Sequence, residues 1–362
     1  METSEILLPS NSYVLELQDL PELNFSHIRN LTDDTGIIQH AIFNTANRKE
    51  GYCLDDNARA LLLAVIACKD RKNQPALMPL LQVYLSFIHY MQTDNGEFKN
   101  FMSYTKVCSE VRGSEDSFGR AMMALGFLVN EGPSSMLIRT GAEIFSKAWH
   151  HIDKLNSIRG MANSIVGLCQ FIKYNYPDDV KRDLVIGLSN KMVKMYEENK
   201  RNKWHWFEPV LTYDNGILPL ALLNAYEITS NETYLSVAFE SMIFLESKVF
   251  RNGILSPIGN GGWFERGSKQ AKFDQQGIDA MAMVLLYQQA YRVTRDKKYV
   301  RRMYPSYQWF LGNNDLGLSL YNPHTGGCAD GLHSEGINLN QGAESTLAYW
   351  ISHMIVSATL KE

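Results

Sequence analysis

Apolar side chains recur at three- and four-residue spacing through almost the whole chain after about residue 55, the signature of helices with a buried face. In the stretch 75–92, Leu77, Leu80, Leu81, Tyr84, Phe87, Ile88 and Met91 fall on one side of a helix. In 343–360, Leu347, Trp350, Ile351, Met354, Ile355 and Ala358 do the same. The periodicity predicts helices over 58–69, 75–92, 116–129, 134–152, 158–174, 180–197, 213–228, 232–249, 276–293, 298–310 and 343–360. A weaker one is predicted over Phe25–Phe43. The two-residue alternation of strands is almost absent.

The predicted helices group into hairpins with short turns. Two turns share one pattern, Ala-Tyr-x-[Ile/Val]-Thr-x-[Asn/Asp]-x-x-Tyr, at 225–234 and 290–299, in which Asn231 and Asp296 suit an N-cap. The connections between hairpins, at 44–56, 93–115, 201–213, 251–274 and 312–341, are longer and rich in Gly, Asn, Asp, Trp and Tyr. Each precedes the first helix of a hairpin, so all emerge at one end of the molecule. About six hairpins with one decorated end predict an all-α (α/α)6 toroid with a single functional face. The structural alternative is an open solenoid of helix pairs.

Composition narrows the function classes. A chain of 362 residues with 45% hydrophobic and 20% charged residues can bury a large core. A net charge of −4 without a basic footprint argues against nucleic acid and anionic membranes as partners. The five cysteines (53, 68, 108, 169 and 328) are scattered without a CxxC pair, which predicts reduced thiols. The first residues lack a basic n-region and an apolar core, and no apolar run approaches a membrane span, so a cytoplasmic protein is expected. Residues 1–24 read as an N-terminal extension and 25–362 as one toroidal domain.

The chemistry concentrates in the loops. Asp55-Asp56-Asn57 opens a helix with Arg59 one turn on. These acids cap the helix, clamp a polyol, or both. Asp116 and Arg120 repeat the pattern. The 201–213 loop carries Trp204, Trp206, Glu208, Tyr213, Asp214 and Asn215. Tryptophan faces pack on sugar rings, carboxylates and amides grip hydroxyls, and glycoside cleavage uses paired carboxyls. The next loop supplies Trp263 and then Asp274-Gln275-Gln276. Its glycines are not followed by the Lys-Ser/Thr of a phosphate loop. The last loop ends in Asn340-Gln-Gly-Ala-Glu344, whose carboxylate sits where the helix dipole favours ionisation, as suits a base. Asn313-Asn314-Asp315 lacks calcium-loop spacing. The nine histidines form no HExxH, and no GxSxG occurs, so neither metal nor cofactor is expected. His40 follows a motif-like run and suits sugar binding.

The segments Gly51–Ala60, Tyr213-Asp-Asn215, Asp274-Gln-Gln276 and Asn338–Ser345 resemble a bacterial family of six-hairpin glycosidase-like (α/α)6 toroids, found alone or fused to a sugar-nucleotide glycosyltransferase. The resemblance spans about Leu31 to Leu360. It implies an oligosaccharide ligand at the toroid mouth and association with a glycosyltransferase or another carbohydrate-active enzyme. The resulting expectation is a glycoside hydrolase, inverting, on an oligosaccharide with mannose-containing ones among the candidates. Glu208 is the general acid in this reading, because Trp206 and Phe207 flank it. Asp55, Asp56 and Glu344 compete for the base role. His40, Arg59, Asp116, Arg120, Trp204, Trp206, Tyr213, Asp214, Asn215, Trp263, Asp274, Gln275, Gln276 and Asn340 hold the substrate. The alternatives are a sugar 2-epimerase, which would need two histidines in the cleft, and a non-catalytic glycan-binding module.

Overall fold

A computed structural model describes residues 20–174 and 177–361. The expected extension over 1–24 lies, up to residue 19, outside the described residues. Twelve α-helices are present among the described residues. Six of them, α2 (Leu54–Ala67), α4 (Glu115–Glu131), α6 (Ile158–Tyr174), α8 (Ile217–Thr229), α10 (Gly277–Thr294) and α12 (Ala343–Leu360), form an inner ring. Each packs on the next, and α12 packs on α2. The ring therefore closes, which excludes the solenoid. Around it stand α3 (Gln74–Met91), α5 (Ser135–Ala148), α7 (Asp179–Asn199), α9 (Glu232–Val249) and α11 (Lys297–Gln308). The short α1 (Ser26–Leu31) packs on α12 and completes the sixth pair. No helix among the described residues is long and apolar enough to cross a membrane.

The two rings follow from different residue patterns. In α6 every residue from Ile158 to Ile172 is buried, because an inner helix has neighbours on all sides. In α7 burial is confined to Val185, Leu188, Ser189, Met192 and Tyr196, one stripe of an outer helix. The tightest seam is α4 against α6. Gly119 and Gly126 on one helix face Gly160 and Gly167 on the other, and a Cβ on Gly126 would run into the carbonyl oxygen of Gly167. Helix propensity alone favours alanine over glycine by about 1 kcal/mol. Here overpacking reverses the sign: Gly126→Ala is expected to lose about 1–3 kcal/mol of stability, read from the urea midpoint.

The repeated turn is repeated bond for bond. Ser230 and Arg295 take left-handed φ values of 56° and 61°. Asn231 and Asp296 accept from the backbone N–H of Thr233 and Lys298, and Thr229 and Thr294 donate to the carbonyls of Ala225 and Ala290. The Phe25–Phe43 expectation is corrected: the helix stops at Leu31. Asp33 there accepts from the N–H of Thr35 and Gly36, a local turn that competes with the helix. A hairpin of β1 (Ala41–Ile42) and β2 (Thr45–Ala46) follows. The helix expected from Tyr213 begins only at Ile217, because Asp214 has φ 51°. Short antiparallel pairs tie the loops together. β3 (Tyr52–Cys53) joins β4 (Phe101–Met102), and β5 (Val210–Leu211) joins β6 (Phe264–Glu265).

Candidate active site

The decorated loops gather at the N-terminal ends of the inner helices, around a cavity of ≈ 490 Å³. A more open recess beside it shares Asp55, Arg120 and Tyr213 and adds Asp116 and Ser157. A larger cavity of ≈ 750 Å³ lies at the opposite end, walled by apolar side chains from every inner helix, among them Leu62, Met123, Val166, Leu220, Leu285 and Ile355. Its carboxylates are Asp70 and Glu131, and Glu131 is held by Lys69 at 2.6 Å. The smaller cavity is the candidate site.

Its floor is a charge lattice built on the first two turns of the inner helices. Arg59 of α2 binds Asp56 at 2.9 Å and Glu344 of α12 at 2.8 Å. Arg120 of α4 binds Asp55 at 2.9 Å and Asp214 at 3.1 Å. Arg159 of α6 binds Glu208 at 3.0 Å, donates to Thr212 and to the carbonyl of Tyr213, and lies 4.6 Å from the centre of the Tyr213 ring. The Tyr213 hydroxyl donates to Asp116, as does that of Ser157. Each guanidinium thus ties two elements of the ring.

Buried carboxyls crowd this floor, and burial raises Asp214 among them against the pull of Arg120, Arg59 and Arg159. Burial pushes Asp56 up to about 6, against the pull of Arg59. Burial also pushes Asp330 up to about 6, although the N–H of Gly342 donates to it at 2.7 Å. Asp279 rises furthest, to about 8, through burial and then the neighbouring Asp214. It accepts from Asn215 while its second oxygen has no partner. The Cys53 thiol donates to Asp56 at 3.1 Å, and burial raises it well above the ordinary thiol range, so it is not a poised nucleophile.

Among the residues expected from sequence, Asp55, Asp56, Arg59, Arg120, Glu344, His40, Tyr213, Asp274, Gln275 and Gln276 line the cavity. Asp116 lines the adjoining recess. Gln275 is also a fixed wall: its side-chain oxygen accepts from Trp309 at 3.0 Å and its amide donates to Asp315 at 2.7 Å.

Several expectations are corrected. Trp204 and Trp206, 4% and 0% exposed, pack on Phe244 and cannot offer a face to a sugar. Phe264 and Phe207 pack on Trp204 and Trp206 respectively and complete their burial. Glu208 is paired with Arg159 at 3.0 Å and does not line the cavity, so it does not face a ligand there. Asp214 and Asn215 are buried beneath the floor, where they position Arg120 and Asp279. Trp263 stacks obliquely beside Tyr213, with ring centres 6.2 Å apart, outside the cavity wall. Asn340 accepts from the N–H of Phe43 and pins a loop.

Sequence reasoning missed Arg159, Asp279, Asp330 and His333. Arg159 follows no decorated loop, yet it stands near the start of an inner helix, in its first turn, as Arg59 and Arg120 stand in the second turns of theirs. Asp279 is an acid in the first turn of an otherwise apolar helix. His333 lines the cavity with His40, and its Nδ1 sits 2.6 Å from Asp274. No group of three or more metal-binding side chains converges among the described residues.

Residues 185–316, about a third of the chain, match the model of a family described as Glycosyl Hydrolase Family 88. No curated protein matches the chain in sequence. Among solved structures, a sugar epimerase from a ruminal bacterium aligns with a TM-score of 0.70 at 10% identity, over 92% of this chain and 95% of that one. The cellobiose 2-epimerase of Bacillus thermoamylovorans gives 0.70 at 11%, over 91% and 95%. A GH76 α-mannanase of Bacteroides thetaiotaomicron gives 0.60 at 12%, over 91% and 92%. At such identities the likeness is one of fold.

Proposed function

We propose that this chain, built on the six-hairpin glycosidase-like (α/α)6 toroid, is an inverting glycoside hydrolase acting on an oligosaccharide, with residues 25–362 as one catalytic domain. The observation that carries the reading is a single cavity holding two kinds of carboxyl. Asp330, pushed up to about 6 by burial, holds its proton to a higher pH than an ordinary carboxyl, while Glu344 pairs with Arg59 at 2.8 Å. Opposed environments of this kind separate an acid from a base. Asp330 protonates the glycosidic oxygen as the C1–O bond breaks. Glu344 takes a proton from water as the new C1–O bond forms on the opposite face. Asp55, Asp274, Gln276 and Tyr213 stand where sugar hydroxyls would be held. Mannose-containing oligosaccharides head the substrates to test, in line with the α-mannanase among the fold relatives.

A sugar 2-epimerase is the second reading, favoured by His40 and His333 on the same cavity and by the Asp274 carboxylate on His333. Incubation with manno-, gluco- and N-acetyl oligosaccharides separates the two. Released monosaccharide supports hydrolysis, an isomerised product supports epimerisation, and binding without turnover reduces the site to a glycan-binding module. If Asp330 is the acid, kcat/KM falls as pH rises through about 6, because the deprotonated carboxyl cannot donate. A flat profile between pH 5 and 8 removes Asp330 from that role.

A further inference from the structure

We propose that the larger cavity, at the end of the toroid away from the decorated loops, binds a medium-chain hydroxyacyl carboxylate with its tail inward and its carboxylate at the rim. This site is independent of the sugar cavity. Its ≈ 750 Å³ are layered along the inner helices. The floor is apolar on all sides. One helical turn further out, the two sides part. Gln170, Asn224 and Gln289 follow Val166, Leu220 and Leu285 by four residues. The same step from Leu62 and Met123 leads to Ile66 and Phe127. One wall is therefore a band of amides, and the facing wall stays apolar.

The amides are built into the cavity, each at most 3% exposed. Gln170 accepts from Asn130 at 2.9 Å, Asn224 donates to the carbonyl of Leu220 at 2.9 Å, and Gln289 donates to Glu227 at 3.1 Å. The amide nitrogen of Gln170 and the amide oxygens of Asn224 and Gln289 are left without a protein partner among the described residues. Two free acceptors in an otherwise apolar cavity suit a hydroxyl on the ligand, because buried polar groups need partners.

The rim carries charge. Lys69 is held by Glu131 at 2.6 Å, which leaves Arg71, Arg292 and Lys361 facing Asp70. Asp70 already accepts from the N–H of Lys72 at 3.1 Å, and Glu227 is held by Lys173 at 2.8 Å. Arg71 and Arg292 offer the planar fork that holds a carboxylate through two bonds. The rival head group is an ammonium, since the carbonyl ends of the inner helices converge at this end as well. Floor and rim are two helical turns apart, about 11 Å, the span of an acyl chain of about eight to ten carbons.

Calorimetry on the full chain at pH 7 tests this with 3-hydroxydecanoate, decanoate, 3-hydroxybutyrate and decylammonium. The expected result is one-to-one binding of 3-hydroxydecanoate. Decanoate should be several-fold weaker and decylammonium about tenfold weaker. The butyrate should be at least about a hundredfold weaker, because each buried methylene multiplies affinity by about fourfold. Arg292→Glu, at an exposed position, should weaken 3-hydroxydecanoate about tenfold and leave decylammonium no weaker. Ala358→Trp, on the exposed lip of the cavity, should block both. No saturable binding, equal affinity of the butyrate, decylammonium as tight as the acid, or unchanged binding in both variants overturns the proposal. Decanoate as tight as its 3-hydroxy analogue overturns the hydroxyacyl class.

Discussion

Replacing Glu344 with glutamine is expected to lower kcat by about 10²–10⁴-fold, the usual worth of a general base, with little change in KM. The substitution keeps the side chain's shape and an oxygen for Arg59, and Glu344 is 38% exposed at the start of α12, so the fold should survive. Asp330→Asn should cost a similar factor and abolish the fall in kcat/KM above about pH 6. Steady-state kinetics with a cleaved oligosaccharide, alongside circular dichroism, separate these outcomes from unfolding. Full activity of Glu344→Gln would remove it from catalysis. Glu208→Gln serves as the contrast: it should act through the Arg159 pair, on stability rather than on the pH profile.

The largest stability effect is expected at Arg120. Arg120→Met removes the one partner that joins α4 to Asp55 and to the loop carrying Asp214. Breaking a buried pair from one side typically costs 3–5 kcal/mol, because the remaining charge has nowhere to go. Asp214 is fully buried and already pushed upward by that burial, so it would have to take up a proton. The sign with pH follows. At neutral pH the variant should show the full loss in chemical denaturation, and the loss should shrink as acid protonates Asp214. Arg120→Lys keeps the charge but not the fork and should recover only part of it. A pH-independent loss would point to packing of the side-chain stem instead.

Where the chain is governed by local rules, its sequence was readable. The helices over 158–174, 232–249 and 343–360 stand at their predicted bounds, because a 3.6-residue repeat is written within each segment. The Asn231 and Asp296 caps follow from side chains that reach backbone groups two residues away. The loops' common side follows from counting hairpins. The helix end at Leu31 was lost because a local Asp33 turn outweighed an apolar pattern that continued past it.

The site was readable only in part, for a different reason. Asp55, Arg59, Arg120, Asp274 and Glu344 stand out in loops and at helix starts. Nothing in the composition of Trp204-His-Trp206 distinguishes sugar-stacking rings from rings packed on Phe244. That depends on what folds over them. Likewise, Glu208 was plausible as an acid until Arg159, on another helix, proved to hold it. The sequence alone therefore determined the helices, their pairing and the end at which the chemistry gathers, since these depend on near neighbours in the chain. Closure of the ring decided the rest. It brings Arg59 to Glu344 and Arg120 to Asp214, buries some carboxyls while pairing others, and so sets which side chain holds a proton. Solvation and charge pairing depend on distance in space, and no local pattern encodes them.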